Sequence, residues 1–277
     1  MKILLLGKNG LLAQAIFSAF QGHHQVIPFS KAQCDITNTP QLRDVLTETN
    51  PDLVINATGY TRVDDAEKNK DEAFAINADA VKELTNLLEP KGTPLVHFST
   101  DYVFDGTNAA GYEEDAKQNP ISVYGQSKAA GEAAILNTLK KFYLVRTAWL
   151  YGPRGKNFVD NILDAAARGE PLKVVSDQVG NPTFTPDLAQ AVLRLLKGNS
   201  YGIYHIVNEG SCSWYEFTQE IFHQLGIPQK IEPISSAQLA RPAPRPAYSI
   251  LKNTKLTPLR SWKTALESYL STKTIII

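Results

Sequence analysis

Tyr124 and Lys128 stand four positions apart in the run Tyr124-Gly-Gln-Ser-Lys128, and on a helix such positions share one face. An ammonium beside a phenol favours the phenolate, so the pair would lower the tyrosine pKa from about 10 and make a proton donor for a ketone. Upstream, Ser99-Thr100 closes a β-forming run, where a hydroxyl can hydrogen-bond the same substrate oxygen. Thr100, Tyr124 and Lys128 are the catalytic candidates. A second chemistry is written near the start. Gly7-Lys8-Asn9-Gly10-Leu11-Leu12-Ala13 follows an apolar run and opens a helical pattern, a place where backbone amides and the helix dipole hold a pyrophosphate. Gly7 permits the tight turn and Gly10 the close approach, although a plain strand-to-helix turn would use the same glycines.

The elements that must carry these groups alternate. Lys2–Leu6, Gln25–Phe29, Asp52–Asn56, Leu95–Ser99 and Phe142–Thr147 read as strands whose apolar continuity suggests burial on both faces. Between them Leu11–Phe20, Pro40–Glu48, Asp71–Glu89 and Ser122–Leu139 carry apolar residues at helical spacing. The pattern βαβαβ predicts a Rossmann-type, doubly wound parallel sheet over residues 1–150. Beyond Gly152 the alternation turns irregular: helices are predicted at Asn157–Arg168 and Pro186–Lys197, and strands at Leu172–Val175 and Ile203–Val207. Segments near 177–208 are expected to return to the first body, and 151–277 to form mainly a smaller substrate-binding lobe. Three prolines make Arg241-Pro-Ala-Pro-Arg-Pro246 an extended segment. The cleft between the lobes is the expected ligand site.

Composition bounds the partners. The chain has 277 residues, 43% hydrophobic and 20% charged, enough apolar material for a core and no signature of disorder. Lys+Arg and Asp+Glu are both 28, which argues against nucleic acid as a partner and requires any anionic ligand to be met locally. Cys34 and Cys212 read as free thiols of a reducing compartment. Ile3–Leu6 is too short for a signal-peptide core or a membrane span, so a cytoplasmic location away from any membrane is expected. The apolar ending Ile275-Ile276-Ile277 reads as a docked strand or an artificial terminus and is assigned no function.

In six segments taken together the chain resembles the dTDP-4-dehydrorhamnose reductase family of the extended short-chain dehydrogenase/reductases. They are Ile3–Gly10, Asn56–Asp64, Ser99–Gly106, Tyr124–Lys128, Arg146–Gly152 and Asp177–Thr183, and the likeness covers nearly the whole length. The glycine run is closer to that group's G-x-x-G-x-x-G than to G-x-G-x-x-G, with Ala13 in place of the last glycine. The resemblance implies reduction of the 4-keto group of dTDP-4-dehydro-L-rhamnose by NADPH or NADH. It makes Tyr124 the proton donor, Lys128 the holder of the nicotinamide ribose and Thr100 the support of the oxyanion. Asp101, Tyr102 and Trp149 would line the sugar site, flanked by Thr61 and Val63. Ala57, Thr58, Gly59 and Tyr60 would lie under the cofactor with Asn77 supporting them. Gly7, Asn9, Gly10, Leu11 and Leu12 would hold its pyrophosphate end. Ser211–Phe217 and Arg241–Ser249 also match the family, the arginines suiting nucleotide phosphates.

Some readings stay open at this level. After the second strand Ser30-Lys31 replaces the usual ribose-binding acid, so either residue could take a 2′-phosphate, or Lys31 is a solvated loop residue. Asp35 beside Ile36 could accept from the adenine amino group or cap the helix before Pro40. Trp149 could be core packing, Asp101 a loop carboxylate satisfied by amides, and Arg241 and Arg245 a solvated basic face. Ala15 stands where some relatives carry a glutamate for a metal-bridged homodimer, so no metal and a monomer or weak homodimer are expected. Gly59-Tyr60 stands where many relatives have alanine and histidine. Two other functions share this fold: a nucleotide-sugar epimerase or dehydratase, and a non-catalytic regulator resembling the regulatory subunit of methionine adenosyltransferase.

Overall fold

A computed structural model describes residues 1–273 apart from 170, 199 and 229; the ending 275–277 lies outside the described residues. The strands β1 (Lys2–Leu6), β2 (Gln25–Phe29), β3 (Leu53–Asn56), β4 (Leu95–Thr100) and β5 (Phe142–Thr147) come first. Four short ones follow, β6 (Leu150–Tyr151), β7 (Leu172–Val175), β8 (Val179–Gly180) and β9 (Thr183–Phe184). Then come β10 (Gly202–His205), β11 (Cys212–Ser213) and β12 (Ile231–Ile234). The main sheet runs β2-β1-β3-β4-β5-β10, and every pair in it is parallel. Strand order reverses between β1 and β3, which opens a crevice at their carboxyl ends.

The side-chain alternation of β1 explains the layers. Ile3 and Leu5 point into a core shared with α1 (Leu11–Phe20), while Leu4 and Leu6 point into a second core with Leu42, Val45 and Leu46 of α2 (Thr39–Thr49). All four are at most 1% exposed, and each such burial contributes about 1.5–3 kcal/mol. A strand covered on both faces has no polar alternation to show, hence its continuous apolar sequence.

After β3 the chain forms α3 (Val63–Ala66) and α4 (Lys70–Phe74), a π-helical turn (Ala75–Asp79), and α5 (Ala80–Leu88). The single helix expected over 71–89 is therefore interrupted. At the interruption Asn77 turns to the loop at Tyr60, accepting from its amide at 2.9 Å and donating to its carbonyl at 3.1 Å. On its other side the Asn77 carbonyl lies so close to α6 (Val123–Thr138) that a Cβ on Gly131 would stand 2.1 Å from it.

The second half contributes α7 (Phe158–Ala167), α8 (Thr185–Leu195), α9 (Trp214–Leu225), α10 (Ser236–Leu239) and α11 (Trp262–Leu270). Leu188 and Val192 of α8, with Ile206 after β10, pack into the α1 core. Tyr151, Phe217, Trp262 and Tyr269 centre a separate aromatic core, over which β7 pairs with β12. Cys34 and Cys212 are free and buried in different cores. The segment 241–246 is neither helix nor strand. Among the described residues no helix is long and apolar enough to cross a membrane.

Candidate active site

Gly7 adopts φ +93°, a conformation only glycine takes readily, and a Cβ there would lie 2.8 Å from the Ala57 carbonyl oxygen. Gly10 precedes α1 in extended conformation with no side chain capping the helix, so the first amides of α1 are left for a ligand. Above them is a cavity of about 260 Å³ lined by Gly7, Asn9, Gly10, Lys31, Cys34, Asp35, Ile36, Ala57, Thr58, Gly59 and Ile76. A second cavity, about 400 Å³, shares Gly10, Ala57, Thr58 and Gly59 with it. That second cavity continues to Leu11, Leu12, Tyr60, Thr61, Phe98, Ser99, Tyr124, Lys128, Thr147 and Leu150. The two form one trough across the strand-order reversal.

Tyr124 is placed by the start of α6, where Ser122 accepts from the Gly125 amide at 3.1 Å and Glu67 from the Val123 amide at 2.9 Å. Farther along, Glu132 takes the buried Arg146 guanidinium of β5 at 2.7 Å and ties the helix to the sheet. Ser127 links the helix to Asn77 at 3.0 Å and to the Tyr124 carbonyl at 2.8 Å. The Tyr124 hydroxyl lies within the influence of Thr100, whose own hydroxyl donates to Asp101 at 2.8 Å and accepts from the Tyr102 amide at 3.2 Å.

Burial pushes Tyr124 up to about 12, with the nearby Thr100 acting the other way. The lowering expected of a neighbouring ammonium is thus not the outcome. Lys128 donates instead to the Phe98 carbonyl at 2.7 Å and lies 3.3 Å from His97 Nε2. Burial brings Lys128 itself down to about 8, partly opposed by the Glu132 charge. Asp101, 2% exposed, is pushed up to about 6 by burial, against hydrogen bonds from Ser249 and Thr100.

Other expectations meet the geometry unevenly. Ser30 turns its amide and hydroxyl to the Gln33 side chain and does not line the trough, whereas Lys31 does, 3.7 Å from Asp35. Asp35 is no helix cap: it accepts from the Thr37 amide and hydroxyl, and Asn38 caps α2. Thr61 lines the trough but Val63, opening α3, does not. Tyr102 sets its ring edge-on to Tyr124 at 5.8 Å. Trp149 packs against a core that includes Val103, Phe104 and Val207. It has φ +46° and stacks on Trp214 at 3.5 Å, against a Gly180 whose Cβ would come 2.6 Å from its ring. Arg241 and Arg245 both hold Asp64 of α3, Arg245 through two bonds of 2.9 Å, while the Arg241 side chain stays 55% exposed.

Thr147, Leu150, Ile76 and Trp214 were not singled out from the sequence. Thr147 had a signal, since it ends β5 beside Thr100 in register, and strand carboxyl ends line ligand crevices in such sheets. The Ser99 and Thr147 hydroxyls are buried with no partner among the described residues, and both face the trough. Those hydroxyls, the glycine cradle and the uncapped α1 fit a nicotinamide dinucleotide. Fold and trough together place the chain among doubly wound, dinucleotide-dependent oxidoreductases.

The comparisons narrow this. A family model described as the RmlD substrate binding domain matches residues 1–275, and the chain belongs to that family. It is 37% identical over 277 residues to the dTDP-4-dehydrorhamnose reductase of Mycolicibacterium smegmatis, covering 96% of this chain and 84% of that one. It is 39% identical over 275 residues to a probable dTDP-4,6-dihydroxy-2-methyloxan-3-one 4-ketoreductase of Streptomyces antibioticus, covering 96% and 93%. The structure superposes on the Bacillus anthracis dTDP-4-dehydrorhamnose reductase in complex with NADP with a TM-score of 0.95, at 36% identity over 98% of this chain and 99% of that one.

Proposed function

We propose that the protein reduces the 4-keto group of dTDP-4-dehydro-L-rhamnose to give dTDP-L-rhamnose, with NADPH or NADH as reductant. The observation that carries the reading is Tyr124, standing with Lys128 on the wall of a cavity continuous with the dinucleotide trough and close to Thr100. The named relatives and the NADP-bound neighbour support it. Residues 1–150, with α8 and β10 packed back on them, hold the dinucleotide, and the remaining lobe closes the sugar site. Ala15 packs against the α1 core and offers no metal ligand, which supports a monomer or weak homodimer. Two free thiols suit the reducing cytoplasm.

Gly7, Asn9, Gly10 and the first amides of α1 hold the pyrophosphate, and Lys31 and Asp35 meet the adenosine end. When bound, the reduced nicotinamide supplies a hydride to the keto carbon. Tyr124 gives its proton to the carbonyl oxygen as charge develops there, which suits a phenol kept fully protonated at neutral pH. Thr100, itself held by Asp101, stands where it can share the substrate oxygen with Tyr124. Lys128 presents its amino group to the ribose, and Ser99 and Thr147 offer hydroxyls beside it. Asp101, Tyr102 and Trp149 bound the sugar.

Mixing the protein with dTDP-4-dehydro-L-rhamnose and NADPH, then NADH, tests this. Cofactor oxidation matched one-to-one by dTDP-rhamnose is expected, and Tyr124→Phe should lower kcat by about 10²- to 10⁴-fold with cofactor binding nearly intact. A new sugar formed without net oxidation would make the protein an epimerase or dehydratase. Cofactor binding with no turnover would favour the regulator.

A further inference from the structure

One buried titratable side chain has no part in the reduction as described. His97 lies on β4, 1% exposed, with Nδ1 3.1 Å from Asn56 Nδ2 and Nε2 3.3 Å from Lys128 Nζ. The direction of these contacts follows from Asn56. Its Oδ1 accepts the Thr58 amide at 3.1 Å and the Thr58 hydroxyl at 2.6 Å, so the oxygen end of the carboxamide is identified by a backbone donor that cannot reverse. The nitrogen end therefore faces His97. A carboxamide nitrogen only donates, so Nδ1 must accept. Burial holds the ring neutral, and a neutral ring that accepts at Nδ1 carries its hydrogen on Nε2.

That hydrogen points at Lys128 Nζ. An ammonium has donors only and would meet the Nε2–H as donor against donor, whereas a neutral amine has one lone pair to accept it. The second Lys128 contact, to the Phe98 carbonyl, is satisfied by an N–H in either state. We propose that His97 is a positioning residue for the reduction proposed above: fixed as its Nε2–H tautomer by Asn56, it disfavours the ammonium form of Lys128 in the ligand-free protein and makes this lysine easier to deprotonate than an exposed one.

The titratable and charged groups around Lys128 fit this. From β4 it meets His97; on its own helix it has Tyr124 in the same cavity and Glu132 one turn on. Glu132 is already committed to Arg146 by three contacts of 2.7–3.1 Å, which blunts its pull on the ammonium. The polarity also begins at the ligand. Thr58, which orients Asn56, lines both halves of the trough, so a dinucleotide touching Thr58 acts on the same chain of contacts that ends at Lys128.

The test uses the full chain without ligand. Nitrogen-15 NMR of labelled histidine should show His97 neutral, with its proton on Nε2, across pH 5–9. Carbon-13 NMR of labelled lysine, assigned by the signal lost in Lys128→Met, should show Lys128 titrating well below the ordinary value of about 10.4. In His97→Gln the side-chain amide can turn its oxygen to Lys128, and the midpoint should rise by about one unit, tenfold more ammonium at a given alkaline pH. The corresponding limb of the kcat/KM profile should move with it. A proton on Nδ1, an imidazolium at pH 6, or an unmoved Lys128 midpoint in a natively melting His97→Gln overturns the proposal. The wild-type tautomer decides it even if His97→Gln does not fold. Because neither NMR measurement involves the sugar, a protein that shows the tautomer but turns over no substrate refutes the reductase reading alone.

Discussion

Gly125→Ala adds one methyl group beside the proton donor, and the structure sets the size of its effect. The new Cβ would lie 2.2 Å from the Tyr102 carbonyl oxygen and 3.1 Å from Pro120 Cβ. Ordinary contact begins near 3.4 Å, so against the carbonyl alone the shortfall is 1.2 Å. No flexible side-chain end absorbs it, because the obstacle is backbone pinned by the bond from the Tyr102 amide to Thr100. The start of α6 must therefore retreat by about 1 Å, and Tyr124 with it. Overpacking of this kind costs about 1–3 kcal/mol, which at about 2–4 °C per kcal/mol lowers Tm by about 2–12 °C. A catalytic group displaced by about 1 Å loses about 10²-fold in rate. Calorimetry and steady-state kinetics should thus show a folded protein with Tm down by several degrees and kcat down by about two orders of magnitude. Dinucleotide affinity should change little, since Gly125 does not line the trough. A variant with wild-type kcat and Tm would refute the claim that the position of α6 against Tyr102 sets the donor.

Asp101 supplies a pH-dependent prediction. Its folded pKa, about 6, lies above the ordinary 3.8, so the folded state binds the proton more tightly; stability is fully present below pH 3.8 and lost as pH rises through about 6. Two units correspond to about 3 kcal/mol, so Asp101→Asn should raise Tm by several degrees at pH 8 and hardly at all at pH 4, and equal gains at both would contradict the burial argument. Lys31→Ala should weaken NADPH binding by up to about fivefold and NADH binding less, the modest size reflecting a side chain 74% exposed; fluorescence titrations showing equal losses would remove Lys31 from the 2′-phosphate.

The first half of the fold was legible because its code is local. Ile3–Leu6 is apolar throughout and Leu53–Asn56 and Leu95–Thr100 are apolar except at Asn56, His97, Ser99 and Thr100, close to what strands covered on both faces show, and Gly7 marks the turn where a Cβ would collide with the Ala57 carbonyl. The irregular second half was legible only in pieces. Neither α9 nor α11 was anticipated, although Ser213 and Glu216 form a capping box for α9 of a kind that sequence can show. The short strands β6, β8, β9 and β11 have two residues each, too few for any periodicity. The helical pattern over 71–89 was real, but its π-turn coincides with a contact between Asn77 and Tyr60, seventeen positions apart, which no window of residues records.

The sequence by itself determined the reacting groups: a tyrosine and a lysine on one helical face, a threonine at a strand end, and a glycine turn before the first helix. These follow from spacing within single elements, where geometry repeats every few residues. What those groups do to one another was decided by tertiary structure. Lys128 turns to Phe98 and His97 rather than lowering the Tyr124 pKa, Asp101 becomes a carboxyl poised near neutrality, and two arginines predicted for phosphates or solvent close on Asp64. Each outcome depends on desolvation and on partners from distant strands, and both quantities exist only once the chain has buried them together.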